Sequence, residues 1–153
     1  MSALVISEAA FAQAGDFFEE RGACGLEGTA MLAGDPAVGV TRCVIPDQVG
    51  RRSRFGVSVE VTEQGKLMLA GALADEERYL ARIHSHPSDA FHSDTDDVNP
   101  GLTADGAISI VVPFFGLGLR RGLDACAIYV YRDLEWIPLD RDQQAPRIEV
   151  IDR

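Results

Sequence analysis

The most informative segment of the chain reads Ile83-His84-Ser85-His86-Pro87-Ser88-Asp89-Ala90-Phe91-His92-Ser93-Asp94-Thr95-Asp96-Asp97. If residues 80–86 form a strand, His84 and His86 point to the same face, because successive side chains of a strand alternate. Pro87 ends that strand, since proline cannot donate a hydrogen bond to the ladder. Two neighbouring imidazoles at a strand end can bind one divalent metal ion, and the loop that follows can return a carboxylate to it.

The ligands of such a metal would come from the histidine pair and from the acidic loop. A catalytic zinc ion usually has three protein ligands of N and O type and keeps its fourth position for water. Asp96 and Asp97 are both candidates for the carboxylate, whereas Asp89 and Asp94 lie nearer the loop tip and are weaker candidates. His92 is a fourth candidate ligand, which we interpret as a loop residue that faces substrate or solvent. A His-x-His pair also occurs in ordinary strands, but an acidic loop beside two histidines favours a cation that offsets its charge.

A glutamate lies in an apolar segment upstream of the histidine pair. Residues 25–34 are mostly small and apolar and lead into Gly-Asp-Pro, a pattern that predicts a buried strand and a turn. A charged Glu27 in such a run is costly without a partner, which favours a functional role over a structural one. Beside a metal, a carboxylate of this kind is suited to general acid/base catalysis.

The rest of the chain predicts strands interspersed with two helices. Helices are predicted at 7–21, with Ser7 as N-cap and Gly22 as its stop, and at 63–78. Strands are predicted at 25–34, 38–45, 55–61, 79–84, 107–113, 125–132 and 135–139, with an edge strand at 148–151. The polar segment 46–54 is predicted to be an exposed loop. This order is not a regular βαβ repeat, so we expect the α+β class, with a central mixed β-sheet flanked by helices.

The composition is that of a soluble globular protein, with 153 residues of which 46% are hydrophobic and 25% charged. This length fits a single domain, 1–153. No apolar run reaches the roughly 18 residues that a membrane span needs, and the N-terminus lacks the pattern of a secretory signal. The net charge of −10 disfavours nucleic-acid binding, which needs a basic surface. Cys24, Cys43 and Cys126 are scattered and odd in number, which predicts buried thiols in a reducing cytoplasm.

The histidine segment and the upstream glutamate resemble the signature of an enzyme family. His84-Ser85-His86-Pro87 followed by Ser93-Asp94-Thr95-Asp96 resembles the His-x-His-Pro…Ser-x-x-Asp motif of the JAMM (MPN+/JAB) metallopeptidases. Residues 25–34 resemble the glutamate-bearing strand that precedes this motif in the family. Six residues separate His86 from Ser93, a spacing shorter than in the commonest eukaryotic form and similar to the prokaryotic JAB subgroup. The resemblance covers residues 7–139 and implies a JAB/MPN-like, cytidine-deaminase-like sandwich.

The resemblance also implies a role for each residue of the motif. It implies that His84, His86 and Asp96 ligate zinc and that Glu27 hydrogen-bonds the metal-bound water as general acid/base. Ser93 would donate a hydrogen bond to the developing oxyanion. Asp97 has no matching ligand role and is interpreted as a loop-stabilising residue.

The substrates of the family imply a partner for this chain. JAMM enzymes often hydrolyse peptide or isopeptide bonds after the C-terminal Gly-Gly of ubiquitin or a ubiquitin-like protein. The resemblance therefore implies a bacterial enzyme that removes or matures a ubiquitin-like modifier, and the cysteines place it in the cytoplasm. Its partners would be that modifier or its conjugate and the activating and conjugating enzymes of the same system, including antiviral operons.

Two other functions remain open on the sequence. One is a zinc peptidase that acts on small peptides or on a sulfur-carrier adduct. The other is a non-catalytic MPN-type scaffold, which usually lacks the ligands that this sequence carries.

Overall fold

A computed structural model describes residues 3–88, 104–140, 142 and 148–152. Among these residues, α1 (Glu8–Ala23) and α2 (Glu63–Gly71) are α-helices, and Phe114–Arg121 and Leu123–Ala125 are 3-10 helical segments. The strands are β1 (Leu4–Ser7), β2 (Thr29–Gly34), β3 (Arg42–Val44), β4 (Gln48–Ser53), β5 (Gly56–Val61), β6 (Arg78–Ser85), β7 (Ile108–Val112), β8 (Ala127–Arg132), β9 (Glu135–Pro138) and β10 (Ile148–Ile151). None of the helices in the described ranges is long and apolar enough to cross a membrane.

A six-stranded mixed sheet forms the centre of the fold, in the order β3-β2-β6-β7-β8-β9. Only the β6–β7 pair is parallel within this sheet, and the other pairs are antiparallel. Every residue of β7 is buried, as its continuous apolar run predicts. The predicted α+β class with a mixed sheet and flanking helices is therefore confirmed.

Helix α1 packs its apolar stripe on the core beside the sheet. Ser7 caps it as predicted, and its Oγ accepts the N–H of Ala10 at 3.2 Å. The prediction that Gly22 ends the helix is wrong, because the helix continues to Ala23. Gly22 has a different purpose: a Cβ there would lie 2.3 Å from the carbonyl oxygen of Phe115. The glycine thus allows the chain after β7 to approach the helix closely.

Two predicted segments, one before and one after β5, differ from the structure. The segment 46–54 is not a loop, since residues Gln48–Ser53 form β4 and pair in full register with β5. Most residues of β4 are exposed, so the strand lacks the apolar alternation that sequence patterns detect. Helix α2 ends at Gly71 rather than at residue 78, because a turn closed by the Glu77 N–H and the Ala74 carbonyl leads the chain into β6.

The ends of the described chain meet in a strand pair that sequence patterns did not predict in full. β10 was predicted as an edge strand and is confirmed at residues 148–151, but its partner β1 was not predicted. The two strands pair in parallel over four residues each. A strand of four residues directly before a helix gives too short a pattern to be recognised.

The predicted burial of the cysteines holds for only part of the set. Cys126 is buried, Cys43 is half-buried, and Cys24 is exposed at the end of α1. Burial raises the pKa of the Cys43 thiol to about 11 and that of Cys126 to about 12. These two cysteines therefore behave as apolar packing residues.

Candidate metal centre

The histidine pair lies at the carboxyl end of β6, at the centre of the sheet. His84 and His86 are 6% and 5% exposed, and their ring centroids lie 5.0 Å apart with an angle of 56° between the planes. The alternation rule predicted that both rings share one face, and their contact confirms this. Two imidazoles brought together in a nearly dry environment are unusual without a ligand or a hydrogen-bonding role.

The main chain around the pair is fixed by β7 and by the turn that follows it. His84 pairs with Val111 in the parallel ladder. The N–H of His86 donates to the carbonyl of Val112 at 2.8 Å, and the carbonyl of His86 accepts the N–H of Phe115 at 2.7 Å. The ladder thus continues on this side past the last residue of β6, which fixes the direction of both imidazoles.

The turn after β7 has an unusual backbone. Phe114 and Phe115 have φ angles of 56° and 53°, in the left-handed region that bulky residues rarely adopt. Gly116 follows with a φ of 88°, and a Cβ there would lie 2.4 Å from the Cβ of Phe18. The close packing against α1 holds the turn in this conformation, and the N–H groups of Phe114 and Phe115 thereby reach the chain at Ser88 and His86.

Glu27 lies two residues before β2, which pairs with the histidine-bearing strand β6. Thr29 is opposite His84 in the antiparallel register. The pairing continues beyond β2, because the N–H of Ser85 donates to the carbonyl of Gly28 at 2.9 Å and Ser85 Oγ accepts the Gly28 N–H at 2.9 Å. The same register, continued by two more residues, would bring Glu27 opposite His86. The prediction that β2 begins at residue 25 is wrong, since Ser85 supplies a hydroxyl where a longer strand would use a carbonyl.

Two side chains that sequence patterns did not single out also hold this segment. Arg21, on the last turn of α1, donates from Nε to the carbonyl of Glu27 at 2.8 Å. Gln48, the first residue of β4, bonds both the N–H and the carbonyl of Thr29. Neither residue belongs to a recognisable motif. The one sequence signal for Gln48 is the nearby Pro46, because proline has no N–H to donate to a neighbouring strand and another group must take its place.

Comparisons with known proteins identify the fold and the family of the chain. The fold is similar to that of a JAB1/MPN domain protein from Archaeoglobus fulgidus, with a TM-score of 0.55, 15% identity and coverage of 97% of this chain and 100% of that one. It is also similar to the solution structure of a Desulfitobacterium hafniense protein, with a TM-score of 0.60, 13% identity and coverage of 98% and 94%. The sequence is 37% identical over 112 residues to the probable metalloprotease y4jG of Sinorhizobium fredii, which covers 71% of this chain and 67% of that protein. The chain belongs to the JAMM/MPN family.

The solved structures show the MPN fold, while the relative of higher identity carries the family assignment. No protein-family profile matches the chain. The family assignment agrees with the resemblance that the motif residues indicate. Membership of the family establishes the type of domain. The roles of the individual site residues are argued from the geometry of this chain.

The residues present in this MPN domain fit a divalent metal of the zinc type. Two imidazole nitrogens are borderline ligands that suit zinc, and both rings are almost fully buried. Within the described ranges, no group of three or more histidine, cysteine, aspartate or glutamate side chains comes together as a complete metal site. The predicted third ligand Asp96 and the predicted oxyanion donor Ser93 lie outside the described residues, as do Asp97 and His92.

Proposed function

We propose that this protein is a zinc-dependent metallopeptidase that hydrolyses the bond after the C-terminal Gly-Gly of a ubiquitin-like protein. The observation that carries this proposal is the buried contact of His84 with His86, with Glu27 only two residues before Thr29, the residue that pairs with His84. The similarity to a probable metalloprotease supports the same class of reaction.

In this proposal the metal is held by His84, His86 and Asp96. Bound zinc supplies a Lewis acid that polarises the scissile carbonyl and lowers the pKa of a water molecule toward neutrality. The backbone bonds from β7 and from Phe115 hold the two imidazoles in place before any ligand arrives. These two proposed ligands are therefore positioned before the metal binds.

Glu27 is the proposed general acid/base. Its carboxylate would accept a proton from the attacking water as the C–O bond forms, and would donate that proton to the leaving nitrogen as the C–N bond breaks. A positioned group of this kind typically contributes about 100- to 10,000-fold in rate. Ser93 would donate a hydrogen bond to the developing oxyanion.

The β4–β5 hairpin is the proposed contact for the substrate tail. Among the described strands, β5 pairs with β4 alone, so its outer edge can accept an extended peptide through backbone hydrogen bonds. Val57, Val59 and Val61 are half-buried and alternate with exposed residues, the pattern expected for such an edge. The hairpin starts beside Thr29 through Gln48, which connects this edge to the proposed catalytic residues.

The same proposal places the enzyme in a bacterial cytoplasm beside a ubiquitin-like conjugation system, including systems of antiviral defence. Its partners would be the modifier or its conjugate and the activating and conjugating enzymes of that system. A protein substrate of this kind suits an exposed hairpin better than a short peptide would, because the hairpin extends the contact well beyond the reacting bond.

Cleavage of a ubiquitin-like protein extended past its Gly-Gly tests the proposal. The zinc-loaded protein should cut after the second glycine, lose activity with a chelator, and regain activity when zinc is added back. A substrate with Ala-Ala in place of Gly-Gly is the matched control and should resist cleavage.

Two results would contradict the proposal in different ways. Turnover of short peptides without cleavage of the extended protein would favour a small-peptide or sulfur-carrier enzyme. A zinc content below about a tenth of an equivalent that added zinc does not restore would favour a non-catalytic scaffold.

A further inference from the structure

The start of β2 lacks a strand neighbour on one side among the described strands. β3 pairs with β2 only from Met31 to Ala33. The same register, continued by two residues, would set Pro46 opposite Thr29. Proline has no N–H, so the backbone there cannot return a hydrogen bond to the carbonyl of Thr29.

The side chain of Gln48 takes the place of that missing neighbour. Its Oε1 accepts the N–H of Thr29 at 2.9 Å, and its Nε2 donates to the carbonyl of Thr29 at 2.9 Å. The second proton of Nε2 goes to the carbonyl of Pro46, also at 2.9 Å. One carboxamide thus reproduces the two bonds of an antiparallel partner and uses both of its donor protons.

Thr29 is the first residue of β2 and lies two residues after Glu27, so it anchors the segment that carries Glu27. It lies opposite His84, and the intervening Gly28 is bonded to Ser85. Gly28 itself is packed tightly, since a Cβ there would lie 2.8 Å from the Phe17 ring. Glu27 precedes the regular ladder, so its direction depends on how firmly residues 28 and 29 are held.

We propose that Gln48 is a positioning residue for the proposed reaction, whose carboxamide fixes the Thr29 main chain and thereby the approach of Glu27 to the metal. This inference rests on the proposed function. The metal ligands do not depend on Gln48, because His84 and His86 are held from the other side by β7 and Phe115. Gln48 therefore acts on turnover rather than on metal binding.

The Gln48→Met variant tests this role, because methionine keeps the length of the side chain and removes all three hydrogen bonds. With the Gly-Gly-extended substrate, kcat should fall about tenfold or more, the scale of a displaced catalytic group, while KM stays within about twofold. Zinc content should remain at about one equivalent. Hydrogen exchange of the Thr29 amide, followed by NMR in the zinc-loaded protein, should accelerate about tenfold or more.

Two further variants make the result specific. Gln64→Met is the matched control, since Gln64 is exposed on α2, and it should leave kcat and Thr29 exchange unchanged. Gln48→Glu keeps the acceptor for the Thr29 N–H but turns a carboxylate oxygen toward the carbonyls of Thr29 and Pro46, which it would repel, so its kcat should fall at least as far as that of Gln48→Met. It also serves as the test if the methionine variant does not fold.

The outcomes separate this inference from the proposed function. A wild-type protein that cleaves the substrate, together with a Gln48→Met or Gln48→Glu variant of unchanged kcat, would overturn the role of Gln48 alone. Unchanged exchange of the Thr29 amide in Gln48→Met would do the same. A folded, zinc-loaded wild type that cleaves nothing would overturn the proposed function, and the positioning role of Gln48 would fall with it.

Discussion

Polar side chains lie at both ends of β6, but those at one end are partly exposed to solvent and those at the other end are buried. Next to its first residue, Glu77 and Arg42 form a two-bond ion pair with side chains that are 16% and 39% exposed. At its last residues, His84, Ser85 and His86 are at most 6% exposed. A surface ion pair costs little to form, whereas buried polar groups must be compensated by other contacts.

The surroundings of the two ends differ in the same sense. Near the first end, Met31, Ala33 and Val44 form a small apolar cluster with Tyr79, whose hydroxyl donates to the carbonyl of Leu69. This is the environment of a structural element. The other end combines buried imidazoles, a buried serine and a half-buried glutamate, so we infer that the first end serves stability and the second end serves chemistry.

The largest effect is expected from Glu27→Gln at the chemical end. The amide cannot carry the proton, so turnover should fall by about 100- to 10,000-fold. Zinc content should stay the same, because Glu27 is not a predicted ligand. Activity assays with zinc analysis check both parts, and activity within about tenfold of the wild type would show that Glu27 is not the general acid/base.

A smaller effect is expected from Ser85→Ala, which removes the acceptor for the Gly28 N–H. That N–H is buried, so leaving it without its partner should lower the free energy of unfolding by about 1–3 kcal/mol. Denaturant unfolding measures this change, and kcat should fall as well because Gly28 precedes Thr29. Ser58→Ala in the exposed hairpin is the control, and an equal loss of stability there would contradict a specific role for Ser85.

The smallest effect is expected at the structural end, from Glu77→Gln. Hydrogen bonds from Arg42 and from the Ala74 N–H lower the pKa of Glu77 from 4.5 to about 2. The carboxylate therefore contributes stability above pH 4.5, and this contribution is lost as the pH falls toward about 2. Denaturant unfolding between these pH values should show a smaller decline for Glu77→Gln than for the wild type.

Turnover at neutral pH, measured on the same variant, distinguishes the structural end of β6 from the chemical end. Glu77→Gln should leave it unchanged, because Glu77 lies at the far end of β6 from the histidines. Glu76→Gln, at an exposed neighbouring position, should follow the wild-type acid profile. A large loss of turnover in Glu77→Gln would break the distinction between a structural and a chemical end.

The sequence predicts the chemical end of β6 better than its surroundings. The period-2 alternation and Pro87 are local properties, so they place His84 and His86 on one face without knowledge of the fold. The MPN resemblance adds Glu27, but only the strand pairing shows that it lies two residues before the partner of His84. The prediction for Asp96 and Ser93 stays a prediction, since both lie outside the described residues.

The features that the sequence did not predict depend on contacts between distant segments. β4 is polar and exposed, and only its pairing with β5 makes it a strand. β1 and β10 lie near opposite ends of the chain and form a pair that no local pattern indicates. Gln48 replaces a strand with a side chain, and hydrophobic periodicity carries no information about such a bond.

A zinc-edge anomalous diffraction map of crystals grown with zinc tests the central claim most directly. The account predicts one peak at about 2.0–2.1 Å from a nitrogen of both His84 and His86, with a carboxylate oxygen of Asp96 as the third ligand. A zinc peak elsewhere in the molecule, with these two imidazoles turned away from each other, would contradict it.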